Sequence, residues 1–181
     1  MEVIRLVKKA KRGNKEALLQ LIMNQKDDYF KLAYTYMGNQ HDAMDAMEDM
    51  IVRLYENIHQ LKKENSFYSW SKTILVNSCK SLLKKRQKLV LVDGWVEHPE
   101  IEMKQPSKVT PFENSEQQID IQQLLSNLNE QQAEAIKLKY FRDLDYQTIS
   151  ELTNVSVGTV KSRIFQGLKK LKNQFGGKDN D

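Results

Sequence analysis

The chain has 181 residues, of which 40% are hydrophobic and 29% are charged, and its formal net charge is +4. These values predict a soluble globular protein with one domain or two small domains. The single cysteine, Cys79, excludes an internal disulfide framework. No apolar run is long enough to span a bilayer and no leader pattern is present, so we expect no membrane insertion and a cytoplasmic location.

The residue pattern does not point to an enzyme. The three histidines are scattered, and none has the spacing to cysteine or glutamate that a metal site requires. The sequence also lacks a cluster of Ser, Cys, His or carboxylate residues and a glycine-rich phosphate-binding loop. We therefore expect neither a metal ion nor another cofactor.

The composition favours helices, because the chain has only 3 prolines and 7 glycines while Leu, Lys, Glu, Gln and Ile dominate. The first helical pattern covers residues 3–25 and breaks at Gly13, after which Asn14 can cap a new helix. A further helix is predicted over residues 28–37, and Gly38 supplies its stop.

The next predicted helix, residues 42–61, has the most regular apolar stripe of the first half and therefore a buried face. Its other face is acidic at the start. The polar residues of this face are Asp42, Asp45, Glu48, Asp49, Arg53 and Glu56. Acids near a helix N-terminus suit the helix dipole without any partner. A docking face for another protein is the alternative, and the pattern favours neither.

An aromatic, Ser/Asn-rich turn then leads into a helix predicted over residues 70–88, which becomes more basic towards its end. Its cationic residues are Lys72, Lys80, Lys84, Lys85, Arg86 and Lys88. Aromatic rings beside a cationic helix suit single-stranded nucleic acid, whose bases stack and whose phosphates are neutralised. The alternative is that Phe67 and Trp70 fill the core of the helical domain.

Residues 89–118 differ in composition from the rest of the chain. They contain all three prolines, and six acids oppose two lysines. We interpret this stretch as a linker, whose apolar residues favour docking of part of it on a partner. Helical patterns resume at residue 119, so the chain is predicted to have two helical domains.

Residues 144–172 carry the pattern of a helix-turn-helix motif. Asp145 can cap a short first helix, Asn154 can adopt the left-handed turn conformation, and Ser156 can cap the second helix. The inward stripe of the second helix is predicted to be Val160, Ile164, Leu168 and Leu171. These features coincide in one segment, which favours a DNA-binding motif over two amphipathic helices with solvated lysines.

The opposite face of this second helix carries residue types that contact DNA. At about 100° per residue, the centre of the face is Thr159, Ser162 and Gln166. The flanking cations are Lys161, Arg163, Lys169 and Lys170. Such polar side chains read base edges, and such cations contact phosphates. The motif predicts DNA binding but not which DNA.

These features together resemble the bacterial RNA polymerase sigma factors of the extracytoplasmic-function group. The resemblance rests on Asp42-Ala43-x-Asp45, on Trp70 before a basic helix, on the acidic linker and on the C-terminal VGTVKSRIFQGLKKL, and it covers nearly the whole chain. It implies an all-α fold of two small helical domains, with region 2 in residues 1–88, a linker in 89–118 and region 4 in 119–175.

The resemblance also implies a function and its residues. A promoter-recognition subunit would bind core RNA polymerase, the −10 and −35 elements of promoter DNA, and, as a further candidate partner, an anti-sigma factor. Polymerase-binding candidates are Asp45, Glu48, Asp49 and Arg53. Candidates for the melted −10 strand are Trp70, Asn77, Lys80, Ser81, Lys84 and Arg86. Candidates for the −35 duplex are Lys139, Thr159, Lys161, Ser162, Arg163, Phe165, Gln166 and Lys169.

Some residues depart from the pattern of this family. The departures are Glu48, Ser71, Ser150, Asn154 and Gln166, which stand where glutamine, leucine, alanine, glycine and arginine are more usual. None of them changes the expected architecture, although Gln166 leaves the −35 preference open. The alternative function is a dimeric regulator that binds an operator through the same helix-turn-helix and senses a ligand with its first domain.

Overall fold

The computed structural model describes residues 1–93 and 123–175, and every regular element within these two ranges is helical. The first range contains α1 (Glu2–Lys11), α2 (Lys15–Asn24), α3 (Lys26–Met37), α4 (Gln40–Asn57) and α5 (Phe67–Asp93), with 3-10 turns at Ile58–Gln60 and Glu64–Ser66. The second contains helical residues 123–126, α6 (Glu130–Ile136), a π-helical turn (Lys137–Phe141), α7 (Tyr146–Thr153) and α8 (Val157–Phe175). The all-α prediction is confirmed.

Local capping explains where the first helices begin and end. The Asn14 side chain accepts a hydrogen bond from the Ala17 backbone N–H at 2.9 Å, as predicted. Gly38 ends α3 in the left-handed conformation, with φ of 79°. The Asn39 side chain then accepts from the Asp42 backbone N–H at 2.9 Å and starts α4. Each cap satisfies a backbone group that the helix itself leaves unpaired.

The first domain packs α3, α4 and α5 against one another, with α1 and α2 alongside. Its fully buried side chains include Tyr29, Phe67, Met50, Leu54 and Leu75. Cys79 is buried in this core, as predicted, and burial raises the pKa of its thiol to about 12. The thiol is therefore protonated and unreactive at neutral pH.

The last helix of the first domain is longer than predicted. Helix α5 begins at Phe67 and continues to Asp93, whereas the sequence pattern placed it over residues 70–88. The rest of the predicted linker, from residue 94 to residue 118, lies outside the described residues. None of the described helices is long and apolar enough to cross a membrane.

In the second domain, α6 packs on α8 at a glycine. Gly167 is buried, and a Cβ at this position would lie 2.6 Å from Ile136 Cδ1. This close approach turns Gly167 towards α6 and leaves Leu168 40% exposed. The prediction that Leu168 belongs to the inward stripe is therefore wrong, while Val160 and Ile164 are buried as expected.

The two domains also touch. Helix α5 of the first domain packs against α7 of the second, and α3 packs against the π-helical turn.

A buried hydroxyl pair explains why position 71 is serine. The Tyr29 hydroxyl lies 2.7 Å from Ser71 Oγ, and both groups are buried. Ser71→Ala should lower the free energy of unfolding by about 1–3 kcal/mol, because the Tyr29 hydroxyl would lose its partner in the core. Urea denaturation measures this loss. Ser69→Ala is the matched control: Ser69 is exposed and bonds only the Ser66 carbonyl, so we expect a change within about 0.5 kcal/mol. Equal losses would contradict the prediction.

Candidate nucleic-acid and protein interfaces

The helix-turn-helix is built by two caps and one left-handed residue, as predicted. Asp145 Oδ1 accepts from the Thr148 backbone N–H at 2.7 Å, and Ser156 Oγ accepts from the Thr159 backbone N–H at 3.1 Å. Between them, Asn154 has a φ of 55°. The Ser150 hydroxyl donates to the Val155 carbonyl at 2.5 Å, so this serine fastens the end of α7 to the turn. The motif therefore holds α8 at a fixed angle to α7.

The outer face of α8 presents polar and aromatic side chains to solvent. Phe165 is 68% exposed, and Ser162, Gln166 and Lys169 are also exposed. Around the helix axis these side chains lie within about 60° of Ser162, given 3.6 residues per turn. They form one continuous exposed surface.

Two other residues expected at the −35 duplex are placed differently. The Thr159 hydroxyl lies 2.9 Å from Ser156 Oγ and so takes part in the cap of α8. Arg163 is half-buried and lines a cleft that faces α5 of the first domain. The structure therefore brings Ser162, Phe165 and Gln166 together and turns Arg163 away from them.

Tyr146 is a residue that sequence reasoning missed. Its ring centre lies 4.8 Å from Lys139 Nζ and 5.4 Å from Lys161 Nζ. Lys139 Nζ also donates to the Leu144 carbonyl at 3.4 Å. An ammonium group within about 6 Å of an aromatic face is attracted to it. The ring thus gathers two lysines that come from different elements, which residue spacing alone does not reveal.

Most of the candidates for the −10 strand share one side of α5. At 3.6 residues per turn, Asn77, Ser81 and Lys84 lie within about 40° of Trp70 around the axis. Asn77 and Lys84 are exposed, whereas Ser81 and Trp70 are half-buried. The Trp70 ring packs against Phe67, with 6.3 Å between the ring centres. Trp70 therefore lies at the boundary between the core and this exposed side of α5.

Arg86 is separated from that group. It lies about 160° from Trp70 around the helix axis, and its guanidinium binds both carboxylate oxygens of Asp42. This bond is the main reason why the pKa of Asp42 lies below its usual value. Asp42 is only 5% exposed, so it does not belong to the exposed acidic face of α4, contrary to the sequence-based expectation. The Asp42–Arg86 pair instead ties α4 to α5.

The exposed face of α4 is both acidic and apolar. Asp45 and Glu48 are exposed, and Asp49 lies 2.7 Å from Arg53 Nε in an ion pair. Three apolar side chains that the sequence analysis did not assign lie beside them. These side chains are Met44, Val52 and Tyr55, each about half exposed. These three residues are apolar but lie outside the core stripe of α4, so the sequence already indicated an exposed apolar face. Acids around apolar side chains are typical of a protein-binding face.

One group of side chains has the spacing of a metal site. Ligand atoms of His41, Asp42 and Asp45 lie within 4.8 Å of one another. However, the Asp42 carboxylate is already bound by Arg86 and by the Asn39 amide. A cation would have to displace both partners, so this donor set does not favour metal binding.

Two stretches of the chain match known families. Residues 21–89 match the family described as Sigma-70 region 2, and residues 118–171 match that described as Sigma-70, region 4. RNA polymerase sigma factor SigV of Bacillus subtilis (strain 168) is 28% identical over 171 residues, which cover 94% of this chain and 98% of SigV. ECF RNA polymerase sigma factor SigW of the same strain is 28% identical over 182 residues, which cover 97% of each chain.

Solved structures share the fold. CnrH, in complex with the cytosolic domain of CnrY, aligns with a TM-score of 0.67 and 17% identity over 99% of this chain and 100% of its own. The sigma factor RpoE, in complex with the anti-sigma factor NepR from Bartonella quintana, gives 0.64 and 20% over 89% and 97%. The family matches appear in the same order as the two helical domains. The chain therefore belongs to the sigma-70 family of RNA polymerase sigma factors, in its extracytoplasmic-function group.

Proposed function

We propose that this chain is the promoter-recognition subunit of a bacterial RNA polymerase and directs transcription initiation without catalysing a reaction of its own. The observation that carries the proposal is the outer face of α8, where Ser162, Phe165 and Gln166 are exposed together on a capped helix-turn-helix. A helix presented in this way can enter the major groove and read base edges.

Each domain receives its own role in this proposal. The exposed face of α4 docks on core polymerase, and the side of α5 that carries Trp70, Asn77 and Lys84 binds the melted −10 strand. The second domain, residues 119–175, reads the −35 duplex with α8, while Lys139 and Lys161 contact phosphates. The acidic and apolar mixture on α4, the cations on α5 and the polar face of α8 support these assignments.

Reconstitution tests the proposal. The purified chain should co-purify with core RNA polymerase and start run-off transcription from a library of templates randomised at the −35 and −10 elements. Core polymerase alone is the control. A chain that fails to bind polymerase, but forms a dimer and binds duplex DNA tightly by itself, would instead be an operator-binding regulator.

An anti-sigma factor is a further proposed partner. The structural neighbour RpoE was solved bound to the anti-sigma factor NepR. In this chain the cleft between the domains is lined by Tyr36, Lys80 and Arg163, among others. A protein inserted there would cover Lys80, a candidate for the −10 strand, and the side of the second domain that carries Arg163.

The proposed −35 contact gives Tyr146 a measurable effect. Tyr146→Leu removes the ring face that holds Lys139 and Lys161, so it should weaken binding to a −35 duplex about two- to fivefold. Tyr146→Phe keeps the ring face and should bind like the unmodified protein. Fluorescence anisotropy measures both affinities. If the ring acts through Lys139, combining Tyr146→Leu with Lys139→Ala should cost less than the sum of the single changes. Fully additive losses would contradict this role.

A further inference from the structure

A carboxylate of the second domain is largely covered by the first domain. Glu134 lies on α6, and its side chain is only 15% exposed. Its Oε1 accepts a hydrogen bond from the Tyr36 hydroxyl at 2.6 Å and lies 2.9 Å from Lys80 Nζ. Tyr36 belongs to α3 and Lys80 to α5. One oxygen atom therefore connects the second domain to two helices of the first.

The partners of the Glu134 carboxylate can offset its negative charge. A carboxylate withdrawn from water needs hydrogen-bond donors or a cation, and Glu134 has both. Burial, followed by the negative charge of Glu134, holds the pKa of Tyr36 far above its ordinary value, so the hydroxyl stays a donor. A weaker contact lies nearby, where Gln87 Nε2 donates to Glu130 Oε1 at 3.4 Å. The contact is thus a small polar interface and not a single surface ion pair.

The contact with Glu134 affects whether Lys80 can bind DNA. Lys80 is a proposed −10 residue, and a DNA phosphate would approach it as an anion, as the Glu134 carboxylate does. While Glu134 occupies Lys80, that cation is not available to a DNA strand. Lys84, another −10 candidate, and Arg163 of the second domain line the same cleft.

The closed arrangement is also too compact for a promoter. Elements centred near −35 and −10 are about 25 base pairs apart, which is about 85 Å along B-form DNA at 3.4 Å per step. Here Lys84 and Arg163 line a single cleft. Both domains can therefore engage their elements only after they separate.

We propose that Glu134 is an internal latch, which keeps the free protein closed by holding Lys80 in place of a DNA phosphate. The proposal rests on the function proposed above for this side of α5, at whose edge Lys80 lies, about 40° from Lys84 around the helix axis. The latch is weak enough to be released, because the cost of removing two charges from water offsets much of their attraction.

The first test measures the distance between the domains. Glu134→Gln keeps the shape of the side chain and can still accept from Tyr36, but it removes the charge that holds Lys80. Cysteines introduced at the exposed positions Asn24 and Gln174 carry the two fluorophores for energy transfer, since native Cys79 is buried. We expect Glu134→Gln to raise the open fraction about tenfold. Glu130→Gln, on the same helix with its weaker contact, should change it little.

The second test measures access to Lys80. Binding of the free protein to a labelled single-stranded −10 oligonucleotide should tighten in Glu134→Gln by about the same factor as the open fraction. Tyr36→Phe removes the other donor and should shift both readouts in the same direction, which keeps the test usable if Glu134→Gln folds poorly. Lys80→Glu combined with Glu134→Lys restores the opposite charges, so it should restore the closed distance but not the binding of DNA.

Three results would overturn the latch. The first is an unchanged open fraction in both Glu134→Gln and Tyr36→Phe. The second is opening without tighter binding of the −10 oligonucleotide, because Glu134 would then not compete with DNA. The third is a charge swap that stays open. Run-off transcription by the unmodified protein separates the two proposals: if it initiates normally while the latch tests fail, the function stands and the latch alone is wrong.

Discussion

Replacing Asp45 and Asp49 together with lysine should weaken binding to core RNA polymerase by about a hundredfold or more. Both side chains lie on the exposed face of α4, where Asp49 pairs with Arg53. A partner surface that complements these acids would meet four units of altered charge, and like charges placed across an interface cost several kcal/mol. Co-purification and an affinity titration with core polymerase measure the loss.

A control variant separates the effect of charge on the α4 face from the effect of a change in net charge elsewhere on the chain. Asp27→Lys with Asp28→Lys makes the same change in net charge on exposed residues in the first turn of α3. This control should bind polymerase nearly as well as the unmodified chain. Helix α4 should survive the double change on its own face, because its stability comes from buried residues such as Met50 and Leu54. Undiminished binding with intact helicity would show that polymerase docks elsewhere.

Features set by a few neighbouring residues could be predicted from the sequence. The caps at Asn14 and Asp145, the stop at Gly38 and the left-handed turn at Asn154 all follow from local backbone chemistry. The fold class follows for the same reason, since helical periodicity and few glycines or prolines act along the whole chain. The exposed face of α8 was predictable because a helix with one buried stripe must present its opposite side to solvent.

Features set by distant residues could not be predicted. Arg86 looked like one more cation of α5, yet it faces α4 because the buried Asp42 carboxylate needs a partner there. Leu168 looked like a core residue, but the close approach of Ile136 selects Gly167 instead. The gathering of lysines at Tyr146 likewise depends on how α7 and α8 pack. Such pairs are separated along the chain and carry no spacing rule.

Two of the departures that looked neutral in sequence have local explanations in the structure. Ser71 replaces the usual leucine and bonds the buried Tyr29 hydroxyl. Ser150 replaces the usual alanine and bonds the Val155 carbonyl in the turn. In both cases the hydroxyl has a partner, so a small polar residue is tolerated where an apolar one is common.

The second large effect that we expect separates base reading from phosphate contact in the second domain. Ser162→Ala and Gln166→Ala should each cost about 1–3 kcal/mol on the preferred −35 sequence and little on scrambled DNA, since only discrimination is lost. Lys139→Ala and Lys161→Ala should weaken binding to both DNAs and reduce the slope of log K against log salt by about one unit per lost contact. Fluorescence anisotropy on both duplexes at several salt concentrations measures these quantities. If Ser162→Ala weakened binding equally on preferred and scrambled DNA, Ser162 would not be a base-reading residue.

Substitutions in the first domain should impair a different step of transcription initiation. Asn77→Ala and Lys84→Ala change exposed residues on the side of α5 that also carries Trp70, so they should spare −35 duplex binding. They should instead impair opening of the −10 region, because we propose that this side binds single-stranded DNA through stacking and phosphate contacts. Permanganate footprinting of the polymerase complex on a selected promoter detects the unpaired thymines.

Arg86→Ala should also destabilise the first domain, because Arg86 is held by Asp42. Unfolding measurements would separate this loss of stability from a loss of DNA contact. If the Lys84 and Ser162 variants showed one and the same defect, the division of labour between the two domains would be wrong.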